Sequence, residues 1–153
     1  MQVSAIDFAE FIALNLQSEV DLNWDLRDRS HVIATFTESS LVVEVSFERR
    51  EPDAPWHVSF DVQRGESSER THLAFYVFNG VFEAVREFLE TREPEAIVFA
   101  TKREGLAHIY ETYLERERPA LEAMGYVVGP AERIDPYVEY TVRRVKPSSW
   151  REN

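Results

Sequence analysis

The chain has 153 residues, and none of them is cysteine. That excludes disulfides, thiolate metal ligands and a cysteine nucleophile, and it fits a reducing compartment. Long apolar runs are missing as well: none approaches the ~20 residues with which a helix crosses a bilayer. No basic stretch leads into an apolar one near Met1, so no signal peptide is expected and a cytoplasmic location is. With five glycines in all, the chain carries no Walker loop, no Gly-x-Ser-x-Gly elbow and no dinucleotide fingerprint. Its histidines, His31, His57, His72 and His108, lack His-x-x-x-His spacing, so no metal site is expected.

Basic residues are also in deficit. Seventeen Lys and Arg stand against 28 Asp and Glu, a formal charge of −11. Such a surface repels phosphates and anionic lipid, which argues against direct nucleic-acid binding and against membrane association. The acids are scattered, as solubility alone would have them. A sharper reading is an acidic inhibitor that mimics nucleic acid on a basic partner.

What is present is core material. The composition is 44% hydrophobic, with ten Phe, six Tyr and three Trp, and chains of this kind fold. No repeat, linker or low-complexity block divides the sequence. A single domain over residues 1–146 is expected, with a polar tail at 147–153 in which Trp150 could dock.

The stretch from Leu73 to Tyr126 organises the domain. Leu73 to Phe78 is apolar at every position, which reads as a central strand covered on both faces. Asn79 would then cap a helix whose stripe is Val81, Phe82, Val85, Phe88 and Leu89, stopped by Pro94. Ala96 to Ala100 reads as a second strand, parallel to the first through this helical crossover. A second helix follows from near Arg103, with Leu106, Ile109, Tyr110, Tyr113 and Leu114 on one face. Pro119 is expected to interrupt or kink it, and Gly125 to end it in a left-handed conformation.

Before this stretch the period changes to two. A weak capping pattern at Ser4 precedes Phe8, Phe11, Ile12 and Leu16 on one helical face, and a short strand is expected within Val20 to Leu26. Val32–Glu38, Leu41–Arg49 and Trp56–Gln63 then alternate apolar with polar residues, as an antiparallel meander requires. Gly65 to Thr71 is a polar connection. After Gly129-Pro130, Tyr137 to Val145 is a final strand with Val138, Tyr140 and Val142 on one face. The fold class is α/β (α+β): one mixed, mostly antiparallel sheet with helices on both faces.

This order of elements is similar to that of the Gcn5-related N-acetyltransferase fold. Ala107, Ile109 and Tyr110 on a helix, then the pair Gly125-Tyr126 entering the last strands, resemble its closing part. Phe75 to Phe78 with Val81 to Val85, Ile97 to Ala100, and Ile109-Tyr110 resemble a group of uncharacterised tailed-bacteriophage proteins. The resemblance covers roughly Leu73 to Tyr126. It implies acetyl-CoA as cofactor and Tyr110 as the acid that protonates the departing thiolate, and it puts the protein in the host cytoplasm.

The family's cofactor loop, Arg/Gln-x-x-Gly-x-Gly/Ala, has no counterpart at Asn79-Gly80-Val81-Phe82-Glu83, where a carboxylate replaces the cation a diphosphate needs. The expectation is therefore a degenerate, non-catalytic domain without cofactor that binds another protein. The alternative is an active acetyl-CoA-dependent N-acyltransferase. In that case His57 or Asp61, with Glu48 nearby on the polar strand face, would deprotonate the amine, and Asn79 and Gly80 would lie at the cofactor. Plainer readings stand beside these: Tyr110 as a packed ring, His57 and Asp61 on a solvated face, Asn79 as a cap.

Overall fold

Period-two alternation builds the first half of the domain. The structure, a computed structural model, describes residues 21–38, 41–64 and 70–145. Strands β1 (Asn23–Asp28), β2 (His31–Glu38), β3 (Leu41–Glu48) and β4 (Trp56–Arg64) form an antiparallel meander, each paired with the next. Val32, Ala34 and Phe36 of β2, Val43, Val45 and Phe47 of β3, and Trp56 and Val58 of β4 are buried on one face. The residues between them present Thr35, Glu44, Ser46, Glu48, His57, Ser59 and Asp61 on the other, together with Ile33, which is buried there.

Helix α1 (Arg70–Arg92) crosses from β4 to β5 (Ala96–Thr101), and these two strands are parallel. Helix α2 (Glu104–Ala123) leads to β6 (Tyr126–Val128), β7 (Glu132–Ile134) and β8 (Tyr137–Arg144). β8 inserts beside β5, and β6 and β7 share its far side. The strand order is β1-β2-β3-β4-β5-β8-β6, with β7 on β8. Every pairing except β4–β5 is antiparallel, so the domain is α+β with one mostly antiparallel eight-stranded sheet and two described helices.

The central strand expected at Leu73–Phe78 does not form. Those residues are the second turn and beyond of α1, and the parallel neighbour of β5 is β4. A short apolar run fits a buried strand and a buried helix equally. Here Phe78 continues the stripe of Phe82, Val85 and Leu89 backward at helical spacing. Asn79-Gly80 is consequently mid-helix. Gly80 is there because the helix crosses the ring of Phe36: a Cβ on Gly80 would sit 2.2 Å from Phe36 Cζ.

Both described helices lie over the apolar face. Phe88 of α1 stacks on Phe47 at 4.1 Å between centroids and meets Trp56 edge-on. Phe99 of β5 touches Tyr110 of α2, and Phe82 stacks on Tyr113 at 3.7 Å, joining the helices to each other. Phe82, Val85, Phe99 and Tyr113 are buried as expected, while Ile109 is half-buried. Helix α2 runs through Pro119 uninterrupted, with the exposed Glu115 one turn before it, and ends at Gly125 with φ of 94°. Helices on both faces were expected, whereas the two described helices share one face. The expected helix with Phe8, Phe11, Ile12 and Leu16 and the tail at 147–153 lie outside the described residues, as does 65–69 of the expected polar connection, whose last two residues, Arg70 and Thr71, belong to α1.

Candidate functional site

Helix α2 places Tyr110 against the sheet because Ala107, Tyr110, Tyr113 and Leu114 form its buried stripe. The Tyr110 ring lies between Phe99 (5.1 Å) and Tyr140 (6.5 Å). Burial pushes its hydroxyl up to about 12, so it stays neutral through the physiological range. Tyr140 donates to the Ala107 carbonyl at 3.2 Å, which ties the first turn of α2 to β8, and Tyr126 of β6 donates to the Pro94 carbonyl ahead of β5 at 3.0 Å.

His57 and Asp61 stand on the opposite face. They alternate with Trp56, Val58 and Phe60, which point toward the helices, and both are exposed. Two residues four apart on one strand are separated by about 13 Å, so these two form no dyad. Glu48 pairs in register with His57, and His31 with Glu48, giving the row His31–Glu48–His57 across β2, β3 and β4. His31 Nε2 lies 3.0 Å from Ser46 Oγ and 4.0 Å from Glu48 Oε1. The sequence spacing of His31 and Ser46 gives no hint of this; only the hairpin register does. Among the described residues no group of three or more His, Asp or Glu side chains is placed to hold a metal ion.

Asn79 and Gly80 lie inside α1, not at its start, so they offer no open first turn to a phosphate. Asn79 is buried with Oδ1 unpartnered, and one turn on Glu83 is buried with Oε1 unpartnered while its other oxygen takes Arg86 Nη2 at 2.5 Å. Burial, helped by the Glu117 and Glu83 charges, also raises the Tyr113 hydroxyl. Burial likewise raises Glu117. Glu83 and Arg86 of α1 with Tyr113 and Glu117 of α2 thus make a polar seam between the helices. The helical stripe alone would have put Glu83 in water.

A final feature is the short ladder between β4 and β5. Their ladder holds only Trp56–Val58 against Ile97–Phe99. Beyond it no ladder bond joins the two strands, although β4 continues to Arg64 and β5 to Thr101. No described helix is long and apolar enough to cross a membrane. No family model matches the chain, and no curated protein or solved structure matches it.

Proposed function

We propose that this chain is a degenerate domain of the Gcn5-related N-acetyltransferase type, of the kind found in tailed phages, acting in the cytoplasm by binding another protein and not by acyl transfer. The element order supports the kinship: a meander, a helical crossover between parallel strands, a second helix, and a last strand inserted beside β5. One observation carries the non-catalytic reading. Tyr110, the candidate acid, sits on the helix-covered face, whereas His57 and Asp61, the candidate bases, sit on the opposite face of the same sheet. An acid and a base serving one reacting centre must both come within hydrogen-bond reach of it, and a sheet between them prevents that.

A second reading, the acetyl-CoA-dependent N-acyltransferase, draws on the short β4–β5 ladder. β4 continues past Val58 without a ladder partner on β5, and an extended, amide-bearing ligand could pair with backbone groups there. The two readings differ in a calorimetric titration with acetyl-CoA at physiological salt. No saturable binding tighter than a Kd of about 1 mM, roughly −4 kcal/mol, is expected. Micromolar binding, with acetyl transfer that Tyr110→Phe abolishes, would replace the binding-module reading by the enzyme.

A further inference from the structure

Among the described strands β1 is the outer edge of the sheet, and its side chains from Asp25 to Asp28 are exposed. An edge strand with free ladder groups can take another strand, and charges or a register irregularity on it, both present on β1, restrict which strand and which register fit. Trp24 ties β1 to the domain: its ring packs on Phe47 and Phe88, and its indole N–H donates to the Glu87 carboxylate. The next residue on that face, Leu26, is 57% exposed, lying beyond the cover of the helices. On the opposite face Arg27 Nε meets Asp25 Oδ2 at 2.8 Å, and both side chains are more than half exposed.

We propose that β1 pairs antiparallel with β1 of a second copy of this chain, about a twofold axis through Leu26, so that two eight-stranded sheets become one. The strand's own charge pattern selects copy and register. A twofold axis normal to the sheet keeps each side chain on its face, so it must pass through a residue. Through Asp25 it would set Asp25 on Asp25, and through Arg27, Arg27 on Arg27; like charges directly opposed are unfavourable. Through Trp24 it would drive together two rings already held by Phe88 and Glu87. Through Leu26 it sets Asp25 against the second copy's Arg27, twice, and closes the two ion pairs into a four-charge network on one face. The exposed Leu26 side chains then cover each other on the other face. The register irregularity between Leu26 and Asp28 leaves Arg27 without a partner on β2.

The test uses the full chain in about 0.15 M salt, where the repulsion between two copies at −11 is screened beyond ~8 Å. Sedimentation equilibrium should show a monomer–dimer equilibrium in the micromolar range. Asp25→Arg and Arg27→Asp should each weaken it by about tenfold or more, and the double reversal should restore it, because the swap keeps every opposed pair of opposite sign. Since the chain has no cysteine, Leu26→Cys supplies a lone thiol. It should cross-link readily to its own copy under mild oxidation, and Leu26→Cys with Asp25→Arg should not. Circular dichroism confirms that each variant is folded. A protein monomeric at 100 µM and above, or one whose dimer ignores the single reversals, overturns the proposal. So does failure of the double reversal to rescue.

Discussion

Replacing Gly80 by alanine tests the close crossing of α1 over Phe36 of β2. In an ordinary helix interior the change is favourable by about 1 kcal/mol, because glycine forfeits backbone entropy. Here the new methyl would lie 2.2, 2.3 and 2.7 Å from Cζ, Cε2 and Cε1 of Phe36. That ring is 1% exposed and cannot swing into solvent. Either the ring leaves its rotamer or α1 lifts from β2, and overpacking of this kind costs about 1–3 kcal/mol or more. With three ring atoms inside contact distance the upper end applies, so the net loss is about 1–2 kcal/mol, or roughly 2–8 °C in Tm for a domain of this size. Urea unfolding followed by circular dichroism gives the number, with an unchanged m value as the sign that only stability moved. Gly105→Ala is the matched control: it is helical, and its Cβ would meet nothing within 4 Å, so it should stabilise. Shortening the ring with Phe36→Leu should relieve part of the Gly80→Ala cost, a coupling above about 0.5 kcal/mol in a double-mutant cycle. If Gly80→Ala stabilises as Gly105→Ala does, Phe36 does not lie against Gly80 and α1 does not cross β2 at that point.

Two further outcomes follow from burial. Phe99→Ala, at 1% exposure beside Tyr110, should cost about 3–5 kcal/mol in the same assay; a loss under about 1 kcal/mol, the size of a surface effect, would put the ring outside the core. Burial pushes Tyr110 and Tyr126 each up to about 12, above the ~10 of an unfolded tyrosine. The folded state then keeps protons that the unfolded chain releases, so their contribution is complete below pH ~10 and is lost as pH rises toward 12. Urea midpoints measured from pH 8 to 12 should decline over that window, and a flat profile would mean hydroxyls already open to water.

The meander was legible because each of its strands alternates apolar with mostly polar residues at period two, a pattern no helix shares. The final strand was legible for the same reason, with Tyr140 and Val142 buried and Val138 partly so. The failure at Leu73–Phe78 has the opposite cause. A run apolar at every position carries no period, and Asn79-Gly80 after it looks like a strand end and a cap. What overrides that look is the close crossing over Phe36, a contact between residues 44 apart in the chain, which no local pattern encodes. The change from strand to helix carried a consequence for topology: the expected pair of Leu73–Phe78 with Ala96–Ala100 does not exist, and the parallel neighbour of β5 is β4.

The separation of the candidate acid from the candidate bases was within reach of the sequence. Tyr110 lies on the same helical stripe as Ala107, Tyr113 and Leu114, and a stripe of that kind faces the sheet's apolar side. His57 lies between Trp56 and Val58 in a strand that alternates, so it faces the other side. Two parities, each readable alone, place Tyr110 and His57 across the sheet from each other. The row His31–Glu48–His57 was beyond reach, because it depends on which residue of β3 meets which residue of β2 and β4, and two hairpin connections of different length set that. The buried Asn79 and Glu83 were beyond reach for a related reason: a carboxylate off the apolar stripe of one helix reads as solvated until a second helix, here through Tyr113 stacked on Phe82, is laid alongside it. Parity within an element therefore limits which residues can share a reacting centre, and packing between elements decides which of them lose water.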